Sequence, residues 1–337
     1  MSRRPQRVAI LYNAPSIGAD DPRFASEADV VEVAREIASC MESGGFEVTL
    51  RPASPPLGAL VSILENDPPD VVFNLIEGYA GRSAGEAWIT GLLDLLGIPY
   101  TGCPPEAQSL CHSKSRTKAL LTGSGLPTAP MLLHSTDDQP RPSFEGPYFV
   151  KPDAEDASLG IDQASVVPDR AGLAARVRYL RKLFGPDVLI ESYLPGGEYN
   201  VGVLALPEPR PLSVAEVVHS PAPGNWPILS YDAKWDIGSA EDLASPIRCP
   251  AEIDGDLAAR LGRLAISAFR ATGCRDYTRV DFRLNAEGEP MILEVNPNPD
   301  LGPTAGWARA LRASGRDYAE TLVALVEQAL ARGPRHA

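Results

Sequence analysis

The chain has 337 residues, with 31 Lys and Arg against 44 Asp and Glu and a net charge of -13. At roughly 100–200 residues per domain that length predicts two or three domains, with a core large enough to need no disulfide or metal staple. The acidic balance excludes a general nucleic-acid binder, which needs a basic footprint, but not anionic small molecules met by local clusters of Lys and Arg.

Val8–Tyr12 is a short apolar run that predicts a first buried strand. Arg3, Arg4 and Arg7 precede it, but the run is too short for a signal-peptide core. Ser26 and Asp29 open a helix in the pattern of a capping residue and an acid three positions on, and Gly44-Gly45 stops it. Phe46–Leu50 reads as a strand, Leu57–Asn66 as a short helix and Asp70–Leu75 as a buried strand. Strand, helix, strand, helix, strand predicts a parallel sheet with crossover helices.

Helices follow at Ala84–Leu96 and Ser113–Thr122, and Gly125–Pro147 reads mostly as loop. Tyr148–Pro152 is a strand closed by proline, and Ala171–Leu183 is an amphipathic helix rich in Arg and Lys. Asp187–Tyr193 and Glu198–Leu206 read as strands around Pro195-Gly196-Gly197. Pro207–Pro227 reads as irregular, Ile253–Thr272 and Tyr318–Arg332 as helices, and Thr278–Leu284 with Pro290–Val295 as a hairpin. Crossovers early and hairpins late predict α/β followed by α+β architecture.

No run of ~18 apolar residues predicts a membrane-spanning helix. The five cysteines are scattered with no C-x-x-C pair, so neither a zinc site nor a redox pair is indicated and a cytoplasmic setting is expected.

The densest chemistry lies in Arg279-Val280-Asp281-Phe282-Arg283 and Met291-Ile292-Leu293-Glu294-Val295-Asn296. Alternation puts Arg279, Asp281 and Arg283 on one face of the first strand, and Glu294 and Asn296 on one face of the second. Pairing the strands gathers two carboxylates and an amide oxygen, a set suited to a hard divalent cation such as Mg²⁺. Arg beside them can bind anionic oxygen. A solvent-facing hairpin with an ordinary charge pattern is the competing reading.

These strands resemble the C-terminal signature of ATP-grasp ligases, and within that superfamily the D-alanine–D-alanine ligases. The likeness spans about residues 70–335. Its elements in order are Gly97–Gly102, Lys114-x-x-Thr117-Lys118, Phe149–Pro152, Glu155–Ile161, Glu191–Glu198, Tyr231–Lys234 and the two acidic strands. The resemblance implies an ATP-grasp fold preceded by a parallel α/β domain, divided as 1–102, 103–194 and 195–337. It implies ATP and two Mg²⁺ ions, with Mn²⁺ as an alternative, amino-acid or peptide substrates, and a homodimer.

Carried over, Lys114 and Lys151 contact the ATP phosphates, and Ser158 belongs to a loop covering them. Glu191 accepts from the adenine amino group, the backbone of Tyr193 and Leu194 reads the ring edge, and Glu198 binds the ribose. Lys234 approaches the transferred phosphate, Asp281, Glu294 and Asn296 hold the metal, and Arg279 stabilises developing charge. Lys118 reads as an exposed helix charge. The implied chemistry is ADP-forming ligation of a carboxylate to an amine through an acylphosphate.

The departures from the family pattern cluster on the substrate side. Glu77–Glu86 replaces a histidine-containing stretch, Ala157 and Trp235 replace a linked serine and tyrosine, and a carboxylate-binding serine falls near Ala305. Asp300 follows Pro299 where the family has glycine. The expectation is a rebuilt acceptor pocket, with Asp300 orienting an ammonium group and Trp235 packing on a larger side chain. Glu27 aligns with the family's N-terminal glutamate, and a capping role explains it as well. The alternatives are a true D-alanine–D-alanine ligase, an ATP-grasp small-molecule kinase and a nucleotide-binding module without turnover.

Overall fold

A computed structural model of the chain describes residues 6–14, 24–155, 158–236 and 238–334, without the side chains of residues 24–29 and Trp235. The first unit runs β1 (Arg7–Asn13), α1 (Phe24–Ser43), β2 (Glu47–Ala53), α2 (Leu57–Asn66), β3 (Val71–Leu75) and α3 (Gly85–Leu95). The sheet order is β2-β1-β3 and both pairings are parallel, as the alternation of elements predicts. Helix α1 ends in a Schellman motif: Phe46 N–H donates to the Met41 carbonyl, Gly45 N–H to that of Glu42, and Gly45 takes φ +86°. Val8, Ile10 and Tyr12 point to one side of the sheet and Ala9 and Leu11 to the other, and both sides are buried.

Two helices then lead inward, α4 (Pro105–His112) and α5 (Lys114–Gly123). Helix α4 is absent from the sequence reading, although Pro105 at its first turn is a helix-start signal. The central sheet follows from β4 (Met131–His134), β5 (Tyr148–Pro152), β6 (Val166–Val167), α6 (Arg170–Phe184) and β7 (Val188–Ser192). Its order is β4-β7-β5-β6, and α6 buries Leu173, Val177 and Leu180 on it.

The third sheet begins with β8 (Glu198–Ala205), β9 (Pro209–Pro211) and β10 (Ala215–Val217). The stretch 207–227, read as irregular, thus holds two three-residue strands. They escape notice because proline occupies both ends of β9, and each is completed by pairing with β8 rather than by its own pattern. Then come α7 (Tyr231–Trp235), α8 (Ala240–Leu243), β11 (Ile247–Arg248), α9 (Gly255–Ala271), β12 (Tyr277–Leu284) and β13 (Pro290–Asn296). The order is β11-β10-β8-β12-β13, with β9 pairing further along the same edge of β8 that β10 occupies.

The last two helices, α10 (Gly306–Ala313) and α11 (Tyr318–Arg332), return to the start of the chain. Leu322, Leu325 and Val326 of α11 share one core with Val8, Ile10 and Phe73, and Trp307 and Leu311 of α10 join it. Buried Asp276 clasps this return, accepting from Gly102 N–H (2.9 Å), Gln328 (3.0 Å) and Arg332 (2.8 Å). The first sheet is thereby fixed against the third.

Candidate active site

Strands β12 and β13 pair with Asp281 opposite Glu294 and Arg279 opposite Asn296. Val280 and Phe282 are fully buried on the far face, which turns Arg279, Asp281 and Arg283 toward the groove. On its other edge β12 pairs with β8, setting Asn200 opposite Asp281 and Glu198 opposite Arg283. The central sheet contributes Lys151 from β5 and Glu191 from β7. A cavity of about 130 Å³ gathers Lys151, Ser158, Glu191, Tyr193, Leu194, Glu198, Lys234, Arg279, Asp281, Glu294 and Asn296. These side chains come from two sheets, two loops and the short helix α7, yet they line one volume.

The sequence reading of Lys118 as a solvated helix charge is wrong. It is fully buried, and its Nζ lies 2.5 Å from Glu191 Oε1, 2.7 Å from Thr128 Oγ1 and 3.1 Å from the Ile292 carbonyl. Its helix runs between β4 and β13, so the face carrying Lys118 points inward. Lys151 Nζ lies 2.7 Å from the other oxygen of Glu191. Burial pushes the Glu191 carboxyl up, and the two ammonium groups outweigh it and hold the carboxyl below its ordinary range. Burial depresses Lys118 against the pull of Glu191. Both oxygens of Glu191 therefore face lysines. Its main effect is to anchor two cations beneath the groove.

Lys114 sits one turn earlier on α5 and does not line that cavity. Its Nζ donates to the Glu155 carbonyl (2.5 Å) and lies 3.8 Å from Glu294 Oε2, in a neighbouring cavity of about 220 Å³. Tyr193 N–H donates to the Pro147 carbonyl (2.9 Å), so of this residue's backbone only the carbonyl can read a ring edge. Ser158 lines the groove in a left-handed conformation, φ +61°.

Arg279 grips Asp281 with two hydrogen bonds of 2.8 Å, and Asn200 donates to the same carboxylate at 2.9 Å. Burial pushes the Asp281 carboxyl up; Arg279 opposes this and Glu294 adds to it. Asn296 Oδ1 accepts from Asn298 N–H at 3.0 Å. Among the described residues no group of three or more His, Cys, Asp or Glu stands together as a metal site. Two facing carboxylates whose charges oppose one another, with an amide oxygen beside them, nevertheless fit a hard cation that completes its shell with substrate oxygens and water.

A second cavity, about 440 Å³, shares Lys234, Arg279 and Asn296 with the first. Glu77, Glu86, Glu155, Asp300, Trp307 and Arg309 also line it. Asp300 is exposed, and its Oδ1 accepts from Gly302 N–H at 2.7 Å. Ala305 stands at the N-cap of α10, with Arg309 one turn on. Trp235 ends α7, but its side chain, that of Glu27, and residue Ala157 lie outside what is described. Sequence reasoning misread Lys118 and passed over Asn200, His219 and Arg309. The i, i+4 spacing of Lys114 and Lys118 was the one visible signal for the first of these.

The family model for the D-ala D-ala ligase C-terminus matches residues 120–327. A D-alanine–D-alanine ligase of Acidiphilium cryptum is 32% identical over 333 residues, covering 97% of this chain and 99% of the relative. The uncharacterized protein y4sG of Sinorhizobium fredii is 29% identical over 304 residues, covering 88% and 87%. The D-alanine–D-alanine ligase of Bacillus anthracis complexed with ATP shares the fold, with a TM-score of 0.75, 18% identity and coverage of 97% and 98%.

Proposed function

The chain belongs to the D-alanine–D-alanine ligase family of ATP-grasp, ADP-forming ligases, and on that footing we propose that it joins an amino-acid or peptide carboxylate to an amine whose pocket differs from the family's. The supporting observation is the junction: Lys234, Arg279 and Asn296 line both the groove and the larger cavity. Reactants held on either side meet beside two cations.

In this reading ATP is a substrate. Lys118, Lys151 and Glu191 form the floor under its phosphates, Glu198 meets the ribose, and Ser158 covers the phosphates. Asp281, Glu294 and Asn296 hold Mg²⁺, two ions in the full reading, with Mn²⁺ able to replace it. When bound, the metal neutralises charge on phosphate oxygens. A carboxylate oxygen of the first substrate attacks the γ-phosphorus as the bond to ADP breaks, leaving an acylphosphate. The amine of the second substrate then attacks the acyl carbon, loses a proton, and phosphate departs. Arg279 is already fixed by Asp281 and sits where charge develops on the acyl oxygen. Lys234 faces the transferred group from α7.

On the acceptor side, Asp300 keeps one oxygen for an ammonium group, Arg309 offers a counter-charge to a carboxylate, and Trp235 packs on a side chain larger than methyl. The three units 1–102, 103–194 and 195–337, a homodimer and a cytoplasmic setting complete the reading. No helix among the described residues is long and apolar enough to cross a membrane.

The test is phosphate release from ATP and Mg²⁺ across a panel of D- and L-amino acids, dipeptides and amines, with mass spectrometry of the products. Release with a product one water lighter than its two substrates supports the ligase. Activity confined to D-alanine with itself would make it a true D-alanine–D-alanine ligase. A product heavier by a phosphoryl group, without free phosphate, would make it a kinase. Silence across the panel would favour a nucleotide-binding module.

A further inference from the structure

Glu198 has one oxygen tied down from two directions. Its Oε2 accepts from His219 Nε2 at 3.0 Å and from Arg283 Nη1 at 3.2 Å. Strand pairing produces the contact: Val217 of β10 stands opposite Glu198 of β8, and His219 follows two residues later. Both side chains are nearly buried, 8% exposed for His219 and 11% for Glu198. A ring nitrogen this close to a carboxylate oxygen carries the hydrogen, which fixes the histidine tautomer. Arg283 is shared, since it also donates to the Gly196 and Pro227 carbonyls and lies over the Tyr193 ring.

One donor fixes a point on a carboxylate, whereas two donors from different directions fix its plane. Glu198 also lines the groove, so the held plane decides where its other oxygen points. We propose that His219 is a positioning residue for the nucleotide sugar: it orients Glu198 toward the ribose diol and so sets the preference for ribonucleotides over 2′-deoxyribonucleotides. The proposal rests on the groove reading given above. A site built to bond a hydroxyl rejects the analogue that lacks it, because its own polar group is left unpaired. That rejection weakens when the acceptor can swing away.

The test is calorimetric titration with ADP and with 2′-deoxy-ADP, each with Mg²⁺, which needs no knowledge of the amino-acid substrates. The unaltered protein is expected to favour ADP by about 10–100-fold, and His219→Ala to shrink that ratio about tenfold. His219→Gln, whose amide nitrogen reaches the Nε2 position, restores the ratio. His219→Asn, one methylene shorter, behaves like alanine, and the Gln–Asn contrast carries the test if the alanine variant does not fold. A ratio unchanged in His219→Ala or His219→Asn, while Glu198→Ala abolishes it, overturns the proposal. A ratio unchanged in Glu198→Ala itself overturns the assignment of Glu198 to the ribose, and the proposal with it.

Discussion

The two cavities that meet at Arg279 are built in different ways. In the groove most of the charged groups are buried and held: Lys118 and Lys151 by Glu191, Asp281 by Arg279 and Asn200, Glu198 by His219 and Arg283. In the larger cavity Glu77, Asp300 and Arg309 are exposed, and they stand on connections or on the first turn of a short helix. Buried charges paired with opposite charges keep one geometry and tolerate little change. Exposed charges on loops can be exchanged without loss of fold. A substitution in the groove therefore costs the fold, while one at the rim of the larger cavity does not.

The comparison breaks first if the buried floor is not what holds the groove. Removing the charge of Glu191 leaves two ammonium groups uncompensated in the interior, and Glu191→Gln is expected to destabilise the protein by about 3–5 kcal/mol. Urea denaturation reads this directly. The same carboxyl gives an acid signature. Its folded-state pKa lies below the ordinary ~4.3, so its contribution is complete above that value and is lost as pH falls through the lower one. Stability measured between pH 5 and pH 3 should fall less steeply in Glu191→Gln than in the unaltered protein.

Next in size is the acid pair. Glu294→Gln keeps the shape of a partly exposed side chain and removes one charge of the facing carboxylate pair. Activity on the best substrate pair is expected to fall about 10²–10³-fold with the melting temperature unchanged. A chelator should do the same to the unaltered protein, and added Mg²⁺ should reverse it. A fall in melting temperature matching the loss of activity would instead make Glu294 structural.

That these side chains share one groove was legible in the sequence because most of them lie on strands. Alternation alone puts Arg279, Asp281 and Arg283 on one face, and Val280 and Phe282, both fully buried, confirm which face turns inward. The parallel first sheet was legible for the same reason, from apolar runs separated by helix signals. Lys118 was misread because a lysine on a helix gives no hint that another sheet lies above it. His219 was passed over because β10 has three residues, too few for a pattern, and its contact depends on pairing with β8. The return of α11 to the first sheet was invisible, since periodicity shows that a helix has an apolar face but not what that face meets.

A smaller effect sharpens the acceptor side. Asp300→Asn keeps the oxygen that Gly302 N–H needs and removes the charge. If Asp300 holds the acceptor's ammonium, KM for that substrate should rise about tenfold with kcat nearly constant, the weight of one hydrogen bond to a charged group. Affinity for ADP should not move, because Asp300 does not line the groove. An unchanged KM would remove Asp300 from substrate binding.

The smallest expected effect is the most selective. Arg309 is exposed at the rim of the second cavity, where solvent screens an ion pair to about 0.2–1 kcal/mol, so Arg309→Gln should raise KM only about two- to fivefold. Size alone would not assign a role to so weak a contact, but dependence on the substrate would. If Arg309 meets a carboxylate, the rise belongs to the acceptor amino acid and disappears for its carboxamide, which has no charge to lose. The unaltered protein should then prefer the acid to the amide by the same factor, and Arg309→Gln should treat the two alike. An equal rise for acid and amide would mean that Arg309 shapes the rim without reading charge. Recognition of the acceptor would then fall to the groups deeper in the cavity.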